Sequence, residues 1–310
     1  MIAFLTNPAH DLAMSNSNSN IRGAALMTVS MAGFTFNDVC MKAMAGDVPL
    51  FQAVFLRGIL ATLFIFATGR VMGAIRFDLP ARDWRLIGLR SLAELGATYT
   101  FLTALFNMPI ANITAILQAL PLTVALAAAL LFREPLGWRR LAAIMVGFVG
   151  VLLIVQPGGQ GFSVWSTYAL GTVFFVTIRD LAARRLSPGT PSITVSLVAA
   201  MSITLGAGLA SATVVWAPIG LREGGLLTLA AGFILLGYLC SVAVMRVGEI
   251  GFTAPFRYTG LIWALIMGYV FWGDWPDVLT QIGAAIVVAM GLFTLYRERR
   301  ARLRALRGQA

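Results

Sequence analysis

The chain has 310 residues, 59% of them hydrophobic and 12% charged, with a formal net charge of +10. Soluble domains carry about 25% charged residues, so an ordinary soluble globular protein is excluded. Lys42 is the one lysine and His10 the one histidine. A phosphate-binding GxxxxGK[ST] loop is therefore absent, and His-dependent hydrolases and acyltransferases lack a base in the body of the chain.

Residues 1–21 contain the polar run Ser15-Asn16-Ser17-Asn18-Ser19-Asn20 and have no basic stretch ahead of an apolar core. They are expected as a disordered cytoplasmic arm, not a signal peptide. Ten apolar spans follow, at 22–44, 50–70, 84–107, 110–132, 138–155, 163–184, 191–216, 224–245, 250–272 and 277–296. About 20 helical residues cover the ~30 Å hydrocarbon core. The connections are short and marked by Pro49, Pro80, Pro109, Pro157-Gly158-Gly159, Pro188 and Pro218. Lipid offers no partner to a bare backbone group, so such runs predict helices. They do not resemble the ~10-residue alternating strands of a membrane barrel. Cys40 and Cys240 are far apart and suggest neither a disulfide framework nor a metal site.

The third span carries the densest polar signal. Arg90 and Glu94 are four residues apart, which puts them on one helical face, and Tyr99 follows on the same broad side. Charges at membrane depth are tolerated when paired or when they line a wet cavity. Counting residues from each span's entry puts Arg90, Glu94, Arg179, Asp180, Arg257 and Tyr258 toward the inner side. Asn37, Asp38 and Arg57 fall toward the outer side. The inner set is expected as a gate of ion pairs, with Asp38 and Arg57 bracing the outer end; static bracing at both ends is the competing expectation. Asn37, Glu94, Tyr99, Gln118, Tyr258 and Trp263 are the candidate substrate contacts. Arg257 or Arg179 suits a carboxylate, Glu94 or Gln118 an ammonium. Pro121 and Pro255 are expected to kink the fourth and ninth spans, because each removes an intrahelical hydrogen bond.

Basic residues set the orientation. With the N-terminus inside, seventeen Lys and Arg fall in inner segments and two, Lys42 and Arg222, in outer ones. That asymmetry predicts both termini in the cytoplasm. It also explains the basic tail at 297–310 through anionic lipid headgroups, without nucleic acid.

The two halves repeat. A shift of 142 carries Asp38 onto Asp180, Lys42 onto Arg184 and Pro49 onto Pro191. A shift of 139 carries Thr114-Ala115 onto Thr253-Ala254, Ala125-Leu126 onto Ala264-Leu265 and Phe132 onto Phe271. Gly150 meets Gly291 at 141. Five spans per copy is an odd number, so the copies at 22–155 and 156–296 are expected to cross in opposite senses. The expected fold is all-α, with ten transmembrane helices as two inverted five-helix repeats. Such repeats are typical of secondary transporters with a midplane site.

Residues 132–135 (Phe-Arg-Glu-Pro) and 271–274 (Phe-Trp-Gly-Asp) close the fourth span of each copy, ahead of a glycine-bearing last helix. Over about residues 22–296 the chain resembles the EamA type of the drug/metabolite transporter superfamily. Glu134 matches that family's acidic position and Asp274 does so with a one-residue shift, and Asn37 and Lys42 are similar to its polar and basic positions on the first helix. The resemblance implies a metabolite exporter of the bacterial inner membrane. Its YddG-like members, similar in length and layout, imply aromatic amino acids as substrate. A drug, cation or nucleotide-sugar carrier of the same fold is the alternative, and a non-transporting membrane scaffold is the alternative of another class. An enzyme is not expected, and no cofactor or metal is implied. The partners expected are a small-molecule substrate and membrane lipid.

Overall fold

A computed structural model describes residues 8–71, 73, 75–133, 137–158, 162–247 and 250–307. Among them all regular structure is helical. Helix α1 runs Pro8–Lys42, α2 Leu50–Val71, α3 Ala81–Asn107, α4 Ile110–Leu117, α5 Leu120–Phe132 and α6 Trp138–Val155. The second half has α7 Val164–Arg184, α8 Ser192–Ser211, α9 Leu221–Val247, α10 Ile250–Thr253, α11 Thr259–Trp272 and α12 Val278–Arg307. A 3₁₀ segment, Ala254–Tyr258, joins α10 to α11. Residues 8–21, expected as a disordered arm, continue α1 in helical conformation, and the basic tail continues α12 to Arg307. Glu134 lies outside the described residues.

Seven helices are long and apolar enough to cross a membrane. The expected spans outside that group are α3, α7 and the pair α10–α11. Helices α3 and α7 carry Arg90, Glu94, Arg179 and Asp180 in their length, which lowers their hydropathy. The α10–α11 unit is interrupted.

Both interruptions fall at proline. Pro121 is at the start of α5 and Pro255 at the start of the 3₁₀ segment. A proline ring gives no N–H to the carbonyl four residues back and clashes with it. The chain responds with tighter bonds: Ala119 N donates to Ile116 O at 3.1 Å, and Gln118 N is shared by Thr114 O and Ala115 O at 3.2 Å each. So the fourth and ninth spans break at corresponding places. They also close alike, on left-handed residues: Arg133 at φ 54° after α5 and Gly273 at φ 68° after α11.

The neighbour pattern has the same regularity. Helix α1 packs along α9, and α3 along α7; α2 packs on α8, and α6 on α12. Weaker contacts join α3 to α8, α2 to α9, α1 to α11, α5 to α7 and α4 to α11. Exchanging each span of the first five for its counterpart in the last five leaves these neighbours unchanged. Detail follows: the Phe34 ring lies on Gly237 and the Phe175 ring on Gly96, in each case 2.8 Å from where a Cβ would stand. Thr62 and Thr204, 142 residues apart, share a hydrogen bond at 3.2 Å.

Clasps at the helix starts follow the pattern too. Asp83, in the first turn of α3, accepts from the hydroxyls of Thr190 (2.7 Å) and Ser187 (3.1 Å) in the α7–α8 turn. At the start of α9, Arg222 donates to Asp47 at 2.7 Å and to Ala43 O at 3.1 Å, in the α1–α2 turn. The Thr190 hydroxyl holds the Asp83 carboxyl below its usual pKa, against the opposing effect of desolvation, with further help from Ser187. A depressed carboxylate pKa adds stability above the unfolded-state value, and that stability is lost as pH falls through the folded one. Asp83→Asn should therefore lower the thermal midpoint at pH 7. Its deficit against wild type should shrink in scanning fluorimetry as pH drops below 4; a constant deficit would refute the clasp.

Candidate functional site

A cavity of about 330 Å³ opens where the two broken spans face each other. Its wall takes Thr35 and Asp38 from α1, Phe101 from α3, and Thr114, Gln118 and Pro121 from the fourth span. Asp180 comes from α7, Arg257 and Tyr258 from the 3₁₀ segment, and Leu295 from α12. The breaks bring Gln118 and Arg257 to the wall, since a residue at an interruption need not follow the helix around. Tyr258 is buried, with its hydroxyl packed against the space beside Gly291 on α12.

Of the candidate residues, Asp38, Gln118, Asp180, Arg257 and Tyr258 share this one cavity. Residue counting sets Asp38 and Asp180 at opposite depths, and both aspartates border this one space. Thr35 and Thr114 were missed as wall residues. The signal for Thr114 was present, since it matches Thr253 in the repeat.

The charged residues form two clusters, each of which reaches the wall at an aspartate. On one side Arg57, buried, donates to Asn37 Oδ1 at 3.1 Å, and Asn37 Nδ2 donates to Asp38 Oδ1 at 2.9 Å. The expected Asp38–Arg57 brace is therefore relayed through Asn37. This occupies both ends of the Asn37 amide, which makes it a positioning group for Asp38. On the other side Arg179 donates to Glu94 Oε1 at 3.0 Å and to Asp180 Oδ1 at 2.9 Å. Arg90 approaches Glu94 at 3.4 Å. These contacts lie within the α3–α7 seam, so they tie two helices already packed along their length. Arg57, Arg90 and Glu94 then face one another, with Tyr238, around a smaller cavity of about 50 Å³.

Arg257, expected among the ion pairs, makes no hydrogen bond or ion pair with the described residues. Tyr99 is away from the central cavity. It is half-exposed, stacks on Phe51 at 5.9 Å and meets Tyr168 edge-on at 6.3 Å beside a second, apolar groove. Trp263 packs on Phe36 at 6.3 Å. Lys42 donates to Leu105 O at 2.9 Å and Met108 O at 2.7 Å. It satisfies the carbonyls at the end of α3, as cations do at helix C-termini.

Comparison with known proteins agrees with this architecture. Residues 21–156 match the EamA-like transporter family. The S-adenosylmethionine uptake transporter of Rickettsia felis is 23% identical over 287 residues, covering 91% of this chain and 95% of that protein. The pseudopaline exporter CntI of Pseudomonas aeruginosa is 27% identical over 280 residues, covering 86% and 94%. One crystal structure superposes with a TM-score of 0.61 at 18% identity, covering 90% of this chain and 98% of that one, a likeness of fold.

Proposed function

We propose that this chain, whose residues 21–156 carry an EamA-like transporter domain, is a secondary carrier of a small metabolite of the amino-acid class. Relatives similar along nearly their whole length are named as transporters of small molecules. The observation that carries the reading is the cavity itself. It lies between the two broken spans and is lined by both acidic and basic side chains. Broken helices at a repeat interface are where such carriers hold substrate. A zwitterion matches a wall with Asp38, Asp180 and Arg257, and Phe101 and Tyr258 suit an apolar side chain.

The exchange pattern of neighbours supports two five-span copies of opposite sense, at 22–155 and 156–296. In such a pair the cavity is reached from one side or the other as the copies rock. The charge asymmetry of the loops supports an inner-membrane location with both ends in the cytoplasm. The α3–α7 ion pairs support bracing rather than gating, because opening the cavity does not require that seam to part.

Purified protein in liposomes is expected to pass radiolabelled aromatic and other apolar amino acids faster than empty liposomes. A pH gradient imposed in parallel tells a proton-coupled carrier from a facilitator. Absence of flux for every amino acid would remove that substrate class. Flux of other small metabolites in the same preparation would keep the carrier.

A further inference from the structure

This inference rests on the carrier reading and names the chemistry of its ligand. Four polar residues on the cavity wall fall into two sets of counterparts. Asp38 and Asp180 are 142 residues apart, and Gln118 and Arg257 are 139 apart, the two offsets that align the halves. The first set is one residue used twice. The second is not: an amide stands at the break of the fourth span and a guanidinium at the break of the ninth.

The charges single out the same residue. Asp38, Glu94 and Asp180 are matched in number by Arg57, Arg90 and Arg179, and all six belong to the two clusters that flank the cavity. Arg257 is left over, exposed at the cavity with no partner among the described residues. Arginine stays protonated at any physiological pH. Unpaired, it is costly at membrane depth. Its planar fork suits a carboxylate, which it holds by two parallel bonds. Asp38 and Asp180 border the same space and leave carboxylate oxygens there to accept from a cationic group, so a ligand carrying both charges fits the wall better than a bare anion.

We infer that Arg257 anchors the anionic head of a zwitterionic ligand, and that the Gln118/Arg257 difference fixes which way round the ligand lies. Arg257 belongs to the 3₁₀ segment, so the ligand's anion bears directly on the break in the ninth span.

The test uses thermal midpoints of the full chain in a neutral detergent. The probes are a mixture of apolar L-amino acids and the matching amines that lack the carboxylate. The wild type is expected to be stabilised by the amino acids and not by the amines. Stabilisation by both alike, or by neither, overturns the proposal, whereas the liposome flux assay judges the carrier reading separately. Arg257→Gln should require at least about tenfold more amino acid for the same shift, as loss of a charge-assisted bond implies. Arg257→Lys should retain part of the response. Exchange of the two groups, Gln118→Arg with Arg257→Gln, should restore it. A wild-type response from a folded Arg257→Gln protein overturns the assignment. Anionic phosphatidylglycerol should leave the amino-acid shift in place; its loss on adding lipid would assign Arg257 to a headgroup and overturn the proposal.

Discussion

Glu94→Ala is expected to destabilise the fold by about 3–5 kcal/mol, the range for breaking a buried ion pair by removing one partner. The carboxylate stands between two guanidiniums, at 3.0 Å from Arg179 and 3.4 Å from Arg90, with its side chain 12% exposed. Without it, two like charges face each other in the α3–α7 seam, and Arg179 keeps only Asp180. Arg90→Leu combined with Glu94→Leu should cost less than Glu94→Ala alone, because the pair leaves together and no bare charge remains. Glu94→Gln should fall between, since its amide oxygen still accepts from Arg179. Thermal unfolding in detergent measures all of these. A midpoint for Glu94→Ala within a degree of wild type would show that the seam does not depend on the pair.

Gly283→Leu is expected to be the most damaging single change in the apolar packing. Helices α6 and α12 touch backbone to backbone: a Cβ at Gly283 would stand 2.5 Å from Gly150 O and 2.8 Å from Ile154 Cγ1, and one at Gly150 would stand 2.8 Å from Gly283 O. Small residues allow this approach, which is how helices associate in lipid, where there is no hydrophobic drive between them. A leucine must push the helices apart, at a cost of about 3 kcal/mol or more, the upper end for overpacking. Gly232→Ala in α9, with open space around it, is the control. It should be neutral or mildly stabilising, by up to about 1 kcal/mol from helix propensity alone. Monodispersity and thermal midpoint distinguish the two. Equal tolerance at both sites would refute the close approach.

The spans were legible because lipid imposes a simple rule, long apolar runs with every backbone group bonded inward. Seven helices meet it outright, and α3 and α7, which carry charges, do not. The Arg90–Glu94 pairing was legible for a similar reason, since four residues on one helix return to one face. Contacts between helices were less so. Arg179 reaches Glu94 from 85 residues away, and no local spacing encodes which span stands next to which. The place of Tyr99 was misjudged on geometry that was available: at 3.6 residues per turn, five residues rotate about 140° past Glu94, onto the side that meets Phe51 and Tyr168. Asp38 and Asp180 were placed at opposite depths by counting residues along each span, and no count along one helix tells that both border one cavity. The repeat offset carried that relation: it pairs the two aspartates as counterparts, and it sets Gln118 against Arg257.

The hydrogen bond between Thr62 and Thr204 has a bearing on ancestry. If one five-helix segment once associated with a second copy of itself about a two-fold axis, a side chain on that axis would have met its own twin. Few groups suit that place. A carboxylate or a guanidinium would have repelled its image, and an aliphatic side chain would have brought no specificity. A hydroxyl donates and accepts at once, so it can bind another hydroxyl without any change of residue. The threonines at these two positions are what a fused dimer would retain at its seam.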